Sequence, residues 1–528
     1  MKINNFKVVF KKMFRKYPFV LICVYCMSCN DMMNVTLVDF YTDDTFWNTS
    51  SQAIEAINAC YRALNESDLH GSGGDAIFNY ENLTPNSFHK DNSLNARDFA
   101  RGVQTGTTLG MNWNTWRGCY RGIGRCNNVI DRVPNIEMDA NLRNRIVAEA
   151  KFLRAYYYWK MNVVFNGVPL VLEGATQENV DRLGQLPRST YEQVKTQIIK
   201  DLDEAAPALE IRYAAAQDGR ATRGAAYALK ARVLLQSYDY AGTIAACEAL
   251  FALNRYALYP NYNGIFRQAN IGNSEVIFEV RWRYPDVSHS YDIYHGQYQI
   301  QVPVQGLIDA YQMIDGKSIH ESIYTPNPAD PSENRDPRLT QTVAWLGKPW
   351  RGRTAVFSDF HQSGYTFVKY TEYTATTTGT LTGSNNPYIE LRYADVLLMY
   401  AEALNELSAD GSVVDDKAYK AVNDVRGRES VNMPPLPEGL TKEEMRAAIR
   451  LERRIEMAGE GDYFYAIRRW RTIETEMNAD VYAGVFPPTA VNGQVLESRK
   501  FNKDRDYFWP IPYTQIDLNP NLVQNPNY

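Results

Sequence analysis

Hydrophobic residues recur every three or four positions through the stretch from Asn386 to Glu406. The recurring positions are Leu391, Ala394, Leu398, Ala401 and Leu404. This spacing predicts a helix with one apolar face, and Asn386-Pro387 punctuates its start. A partner helix is predicted from Asp415 to Arg428, across a short polar break. Two antiparallel helices joined in this way form a helical hairpin, which is the repeating unit of α-solenoids.

A second helical hairpin is predicted from Gly219 to Leu253, where two segments rich in small residues flank a break at Ser237 to Tyr240. Its length is close to the tetratricopeptide period of about 34 residues. We interpret the pair as a degenerate repeat, although an ordinary helix pair in a mixed domain has the same pattern.

Helical spacing elsewhere extends this scaffold to about residues 43–253 and 386–478. Further helices are predicted over Asp43–Leu64, Trp113–Val133, Leu142–Val164 and Ser189–Leu209. Asn166-Gly167 is expected to end the third of these. Ser189, followed by Glu192 three residues later, predicts a capping box at the start of the fourth.

The stretch of about residues 254–385 lacks helical spacing. Glu275–Val280 resembles a strand, and tyrosine and tryptophan alternate with proline, glycine and polar residues after it. We predict an irregular ligand face of loops, short strands and small helices, inserted between the two helical halves. An irregular tail, residues 479–528, follows, because Pro510 and Pro512 exclude a long helix. The predicted fold is mostly α, in a single domain of residues 29–528.

Residues 1–28 have the order of a lipoprotein signal peptide. Residues 1–16 contain six basic residues and no acidic ones, and a short apolar run follows them. That run is half the roughly 20 residues that a spanning helix needs. Ser28 directly before Cys29 predicts cleavage and acylation at Cys29. Cys26 is a competing lipid site, Met13 is an alternative start, and a secreted protein without lipid is the simpler alternative.

Amino-acid composition limits the kinds of molecule that this protein is expected to bind. The formal net charge is −5, and removal of the basic leader makes the remaining chain more acidic. An acidic surface argues against nucleic acid, which needs clustered lysine and arginine. Cys119 and Cys126 are two helical turns apart, roughly 10 Å, which exceeds the disulfide limit of about 7 Å. We therefore expect buried thiols and no disulfide framework.

The sequence contains no motif that indicates catalysis. It has no HExxH pair, no phosphate-binding GxxxxGK[ST] loop and no GxSxG elbow. Glu452 and Glu456 share a helix face, but interleaved arginines predict a structural role that ties helices together. We predict no enzyme, no metal site and no cofactor. A catalytic carboxylate pair of a glycosidase remains an alternative, because such a pair is defined by the distance between its two carboxyl groups, which a sequence does not give.

Candidate ligand residues fall in one polar stretch broken by proline and glycine. Aromatic rings there could stack on the apolar faces of sugars, and polar neighbours could bind the hydroxyls. The candidates are Trp282, Tyr284, Tyr291, Tyr294 and Tyr298, with Asp292 and His295 beside them. Phe88, His89 and Asn92 in an earlier polar excursion are second-rank candidates. Core packing is the alternative for each.

Several blocks together resemble one family, the SusD/RagB-like outer-membrane lipoproteins of Bacteroidetes nutrient uptake. They are the Ser28-Cys29 pair, Glu149–Leu170, Gly219–Leu235, Tyr388–Glu406, Ile449–Trp470, and the closing WPIP and NPNLVQNPNY. One departure is Asn527, where the family often has glycine. No single block is decisive, but their order along the chain is specific.

The resemblance implies a function as well as a fold. A helix-pair scaffold would carry an irregular ligand face. The protein would be anchored by lipid at the cell surface, cover a SusC-like TonB-dependent transporter and capture glycan for import. A peptide-capturing member of the same family is the first alternative, and a secreted glycoside hydrolase is the second. Family ligand residues vary between members, so the resemblance does not name the glycan.

Overall fold

The computed structural model describes residues 46–70, 76–374, 376–379, 381–411, 414–485 and 492–528. Helices make up 47% of the chain and strands 9%, so the prediction of a mostly α fold is confirmed. The predicted signal peptide, Cys29, Cys26 and Met13 lie outside the described residues. Within the described ranges, no helix combines the length and the apolar character needed to cross a membrane.

The helices are labelled in chain order. Their bounds are α1 Ser50–Arg62, α2 Ala76–Asn82, α3 Ala96–Ala100, α4 Met111–Arg132, α5 Ala140–Phe165, α6 Val180–Gly184, α7 Tyr191–Ala205, α8 Arg223–Gln236, α9 Tyr240–Phe251, α10 Tyr291–Ile293, α11 Gln305–Ala310, α12 Arg338–Thr342, α13 Tyr393–Leu407, α14 Asp416–Arg426, α15 Lys442–Glu456, α16 Tyr463–Trp470, α17 Ile473–Glu476 and α18 Tyr513–Leu518.

The long helices pack in sequence. Helix α1 packs on α4, α4 on α5, α5 on α7, α7 on α8, and α8 on α9. The chain then leaves the stack, and α13 returns to pack on α9 before continuing to α14 and α15. The irregular stretch is therefore inserted between two helices that are neighbours in space. The predicted helical hairpins correspond to α8–α9 and α13–α14.

One predicted helix begins later than expected. Tyr388–Arg392 is a strand, and α13 starts at Tyr393. The five strand residues are buried, so both of their faces are covered. Five residues, two of them the charged Glu390 and Arg392, are too few for periodicity to separate strand from helix. The strand pairs with Val276–Val280, within the segment that was predicted to be β.

Local signals set the helix ends. Asn166 ends α5 in the left-handed conformation, with φ of 58°, and Gly167 follows with φ of 99°. This termination was predicted. The capping box of α7 uses Thr190 and Gln193, one residue after the predicted pair. The neighbouring sequence offers two overlapping S/T-x-x-E/Q patterns, and only the backbone path selects between them.

The strands are short, and two of the five pairs join segments that are distant in sequence. They are β1 Ser87–His89, β2 Val276–Val280, β3 Gln301–Pro303, β4 Val343–Trp345, β5 Pro349–Trp350, β6 Arg353–Thr354, β7 Tyr365–Phe367, β8 Tyr388–Arg392, β9 Asp480–Tyr482 and β10 Val495–Ser498. The antiparallel pairs are β1–β3, β2–β8, β4–β7, β5–β6 and β9–β10. The β2–β8 pair joins the beginning and the end of the insertion.

The insertion and the scaffold meet at a buried group of charges, here called the ionic core. It consists of Glu275, Asp336, Arg338, Lys369, Arg392, Arg426, Arg428, Glu452, Glu456 and Glu460, all buried. Arg392 lies at its centre and donates from Nη1 to Glu275 and to Glu456, each at 2.8 Å. Its Nε donates to Glu460 at 2.9 Å. Five cations thus face five carboxylates.

The ionic core corrects one detail of the sequence interpretation. Glu452 and Glu456 are structural, but their partners come from other elements and not from the arginines interleaved on α15. Glu456 accepts from Arg392 and Arg428 at 2.8 Å and from Arg338 at 2.9 Å. Burial alone would raise the pKa of Glu456, but these three guanidiniums outweigh it and hold the pKa well below the ordinary range.

We expect Glu456→Gln to lower the free energy of unfolding by about 3–5 kcal/mol, because it leaves buried cations without compensation. Urea unfolding followed by circular dichroism would measure the change. Lys420→Gln is the matched control, because Lys420 pairs with Asp424 on an exposed face and should cost only about 0.3–0.5 kcal/mol. Equal losses in the two variants would contradict a stabilising role for the ionic core.

A second buried charge cluster joins the β8 strand to α5. Glu390 Oε1 lies 2.6 Å from His70 Nε2 and 3.9 Å from Lys160 Nζ, and it accepts a hydrogen bond from Tyr156. Burial acts to raise the pKa of Glu390, but the charge of Lys160 and these hydrogen bonds outweigh it and lower the pKa to about 2. Burial lowers the pKa of His70.

The lowered pKa values of Glu390 and His70 both predict that the folded protein loses stability in acid. A carboxyl with a lowered folded pKa contributes stability above its ordinary value of 4.5, and that contribution is lost as the pH falls towards about 2. Glu390→Gln should therefore lower stability at pH 7 and show a smaller further loss between pH 5 and pH 3 than the parent. Urea unfolding at several pH values tests this. Glu438→Gln, at an exposed position, should follow the parent curve. An unchanged acid dependence in Glu390→Gln would refute the assignment.

Candidate ligand-binding surface

The structure brings the two predicted ligand stretches together. Strand β1 pairs with β3, with Phe88 opposite Val302 and His89 opposite Gln301. The ladder continues as the Lys90 amide donates to the carbonyl of Ile300 at 2.7 Å. Residues 88–92 and 294–300, more than 200 positions apart in sequence, therefore lie side by side.

Several predicted ligand residues are buried in this structure, so the expectation that they are exposed is wrong. Trp282 packs edge-on against His289, with 5.3 Å between ring centroids. The Tyr291 hydroxyl donates to the carbonyl of His70 at 3.2 Å. Both rings belong to the main hydrophobic core. The run lacks a sustained helical spacing, but it includes the short helix α10, and its fold turns these two rings inward.

Asp292 and His295 are also interior groups. Asp292 Oδ1 accepts a hydrogen bond from the Glu372 amide at 2.6 Å and fixes that loop. Burial raises the pKa of Asp292 to about 6. His295 is fully buried beside Phe367, and burial lowers its pKa to about 4. Both side chains are therefore enclosed by the protein and are not presented to a ligand.

Two second-rank candidates are interior as well. Phe88 packs in a small cluster with Val302, Val304 and Val481, and the Arg97 guanidinium lies 5.0 Å from its ring centroid. His89 is buried, and its Nδ1 contacts the carbonyl of Asp91. Successive side chains of a strand point to opposite faces of the sheet, so both are buried because both faces of β1 are covered, which three residues of sequence do not show.

The remaining candidates are exposed or half-buried, and they are here grouped under the name tyrosine surface. It consists of Tyr284, Tyr294, Tyr298 and Asn92, together with Asp286 and Gln297. Tyr284 is 54% exposed and Tyr298 48% exposed, whereas Tyr294 is half-buried. Asn92, Asp286 and Gln297 are exposed. These residues combine accessible ring faces with hydrogen-bonding groups.

Contacts with neighbouring segments hold the ring of Tyr284 and the backbone of Tyr298. The ring of Tyr284 lies over Gly383, where a Cβ atom would come within 2.4 Å of it. The Tyr284 amide also donates to Asn385. Near Tyr298, the Lys90 ammonium donates to the Tyr298 carbonyl at 3.3 Å. The Tyr284 ring therefore rests on the chain at Gly383, and the chain at Tyr298 is tied to Lys90.

The sequence interpretation missed Arg351, which supports this surface from below. Its guanidinium donates to the carbonyl of Gly296 at 3.3 Å and to that of Gly379 at 2.9 Å. It also lies 4.8 Å from the ring centroid of Tyr373, whose edge occupies the space beside Gly296. A turn signal at Arg351-Gly352, directly after Trp350, was the available clue.

The chemistry of the tyrosine surface is that of a binding site. Tyrosine rings offer flat apolar faces with polar edges. Asp286 forms an exposed ion pair with Arg283, 3.6 Å between Oδ2 and Nε, which leaves both groups accessible to a ligand. Among the described residues, no group of three or more metal-binding side chains is close enough to hold an ion.

Two cavities lie away from the tyrosine surface. One of about 630 Å³ is lined by Trp113, Trp116 and Tyr120 of α4 and by residues of α6 and α18. The other, of about 410 Å³, lies between the helix ends and the tail. The tyrosine surface is a different region from both.

Comparison with known proteins identifies the fold. A SusD-like carbohydrate binding protein from Bacteroides fragilis superposes with a TM-score of 0.82 at 26% identity, covering 91% of this chain and all of its own. A second SusD-like protein from the same species gives 0.80 at 27% identity, covering 92% and 99%. SusD-like protein P2 of Formosa agariphila is 27% identical over 97% of this chain and 99% of its own length.

Family models match most of the chain. Residues 76–235 match a family described as "Starch-binding associating with outer membrane". Residues 247–528, more than half of the chain, match the model described as "SusD family". The order of sequence blocks, the helix stack and the matched regions agree, and the chain belongs to the SusD family.

Proposed function

We propose that this protein binds glycan at the tyrosine surface and does not act on it chemically. The observation that carries the proposal is the exposure of the Tyr284 and Tyr298 side chains on a polar surface. Sugar rings present apolar faces that stack on such rings, and nearby amide and carboxylate groups bind hydroxyls. The names of similar proteins, which include a carbohydrate binding protein, support the same class of ligand.

We further propose that the captured glycan is passed to a SusC-like TonB-dependent transporter at the outer membrane. The matched family description, which places its members with the outer membrane, supports this location. The lipid-anchor pattern at Cys29 supports attachment to the membrane surface. Because the insertion interrupts the helix stack at only one position, the other helices are available to contact a partner protein.

The glycosidase alternative is less well supported. Glu452 and Glu456 are the closely spaced carboxylates that the sequence suggested, and both are buried and paired with arginine. A catalytic pair must reach the glycosidic bond. Incubation of the pure protein with an oligosaccharide panel tests this directly, because release of reducing ends would overturn the binding-only proposal. A panel that includes peptides tests the other alternative, peptide capture.

We expect Tyr284→Ala and Tyr298→Ala each to weaken glycan binding by about 1–3 kcal/mol, which is the cost of truncating a well-packed aromatic contact. That corresponds to roughly tenfold or more in affinity. Melting temperature should hardly change, because the rings are exposed. A glycan array that includes starch fragments would identify the ligand, and calorimetry would then compare the variants.

Two matched variants complete the test. Tyr513→Ala removes an exposed tyrosine on α18 and should leave both affinity and melting temperature unchanged. Tyr291→Ala removes a buried ring and should lower stability by about 3–5 kcal/mol, the usual cost of a large core truncation. If Tyr284→Ala and Tyr298→Ala bind the glycan as the parent does, the site is not the tyrosine surface.

The anchor prediction concerns Cys29. Several acyl chains give stable membrane attachment, whereas one binds only marginally. Cys29→Ala should therefore leave the protein unprocessed or soluble in cell fractionation, without label from radioactive palmitate. Cys26→Ala is the control and should behave as the parent. Lipid labelling that persists in Cys29→Ala and disappears in Cys26→Ala would assign the anchor to Cys26.

A further inference from the structure

A cavity lies where three scaffold helices end against the tail. The cavity of about 410 Å³ is lined by residues at the C-terminal ends of α5, α8 and α16, by Tyr191 and Glu192 at the start of α7, and by residues 503–505, Tyr507, Phe508, Asn525 and Pro526. Ligand sites for small molecules occupy roughly 300–1,000 Å³. The cavity is therefore large enough for a molecule of monosaccharide size.

One wall of the cavity carries an arginine whose charge is poorly compensated. The Cζ atom of Arg468 lies 3.6 Å from the ring centroid of Phe464. Its Nη1 donates only a long hydrogen bond, 3.4 Å, to the Phe464 carbonyl, and its buried Nε has no hydrogen-bond partner. Within the described part of the chain, no ion pair involves Arg468. Burial lowers its pKa to about 9, so it stays charged at neutral pH.

A second guanidinium lines the same space. Arg471 follows α16 in the left-handed conformation, with φ of 60°, and its Cζ lies 4.9 Å from the ring centroid of Tyr507. Arg471 is exposed and, over the described ranges, also forms no ion pair. The other charged residues of the lining have partners. These pairs are Arg469 with Glu402, Arg505 with Asp506, Lys503 with Asp504 and Glu192 with Lys195.

We propose that this cavity binds a sugar of about one ring that bears an oxyanion, either a carboxylate or a sulfate. Guanidinium groups bind such anions through paired hydrogen bonds. Tyr238, Tyr507 and Phe508 provide ring surface for the sugar. The carbonyl ends of the three helices carry partial negative charge, so they suit hydroxyl donors, and the two arginines make the site attractive to an anion.

The proposal stands on contacts separate from those of the tyrosine surface. Galacturonic acid, galactose 6-sulfate and galactose would be titrated by calorimetry into the purified protein. At least one acidic sugar should bind tenfold or more tightly than galactose, and its affinity should fall as salt is added. Binding of only one acidic sugar would identify the oxyanion as carboxylate or sulfate. Equal binding of all three sugars, or binding of none, would overturn the proposal.

Two variants localise the binding. Arg471→Gln should weaken the acidic sugar tenfold or more at unchanged melting temperature, because the residue is exposed and the lost bond is charge-assisted. Arg353→Gln, at an exposed arginine that pairs with Asp359, is the matched control and should bind as the parent. Tyr284→Ala should also leave this affinity unchanged, which separates the cavity from the proposed glycan surface. Parent-like binding by Arg471→Gln would refute the assignment.

Discussion

The ionic core is the constraint on which the rest of the structure depends. Glu275 precedes β2 at the start of the insertion, Lys369 lies within it, and Arg392 ends β8 where the chain returns. Glu275 pairs with Arg428 just after α14, Arg392 pairs with Glu456 of α15, and Lys369 pairs with Glu460 in the loop after α15. Lys369 and Arg392 both bond to Glu460, at 2.9 and 2.8 Å. The position of the irregular region relative to the helices is therefore fixed by buried, directional bonds.

Such a core contributes more to the selection of one arrangement of the chain than to the free energy of folding. Removing charges from water costs several kcal/mol for each ion, and mutual attraction offsets this only when every partner is present. A misplaced insertion would leave cations such as Arg392 buried and unpaired. Correct pairing thus selects one arrangement of the insertion, while exposed loops at its outer edge can differ without loss of the fold.

The tail has a comparable role at the other end of the stack. The Trp509 amide donates to the carbonyl of Val164 at 2.7 Å. Asn525 Nδ2 donates to the carbonyls of Phe165 and Trp509, at 3.1 and 2.7 Å. These bonds satisfy the carbonyl end of α5 and hold the tail beside α16. The tail thereby forms one wall of the cavity that contains Arg468.

By itself, the sequence determined the helical class, the α8–α9 and α13–α14 hairpins, the end of α5 at Asn166 and the irregular insertion. These features follow from periodicity and capping, which act over a few residues. Only the tertiary structure decided that Tyr388–Arg392 is a strand, that Trp282 and Tyr291 are buried while Tyr284 and Tyr298 are exposed, and that Glu456 pairs with Arg392. Exposure and ion pairing depend on segments that are distant in sequence, and no local pattern records which segments will meet.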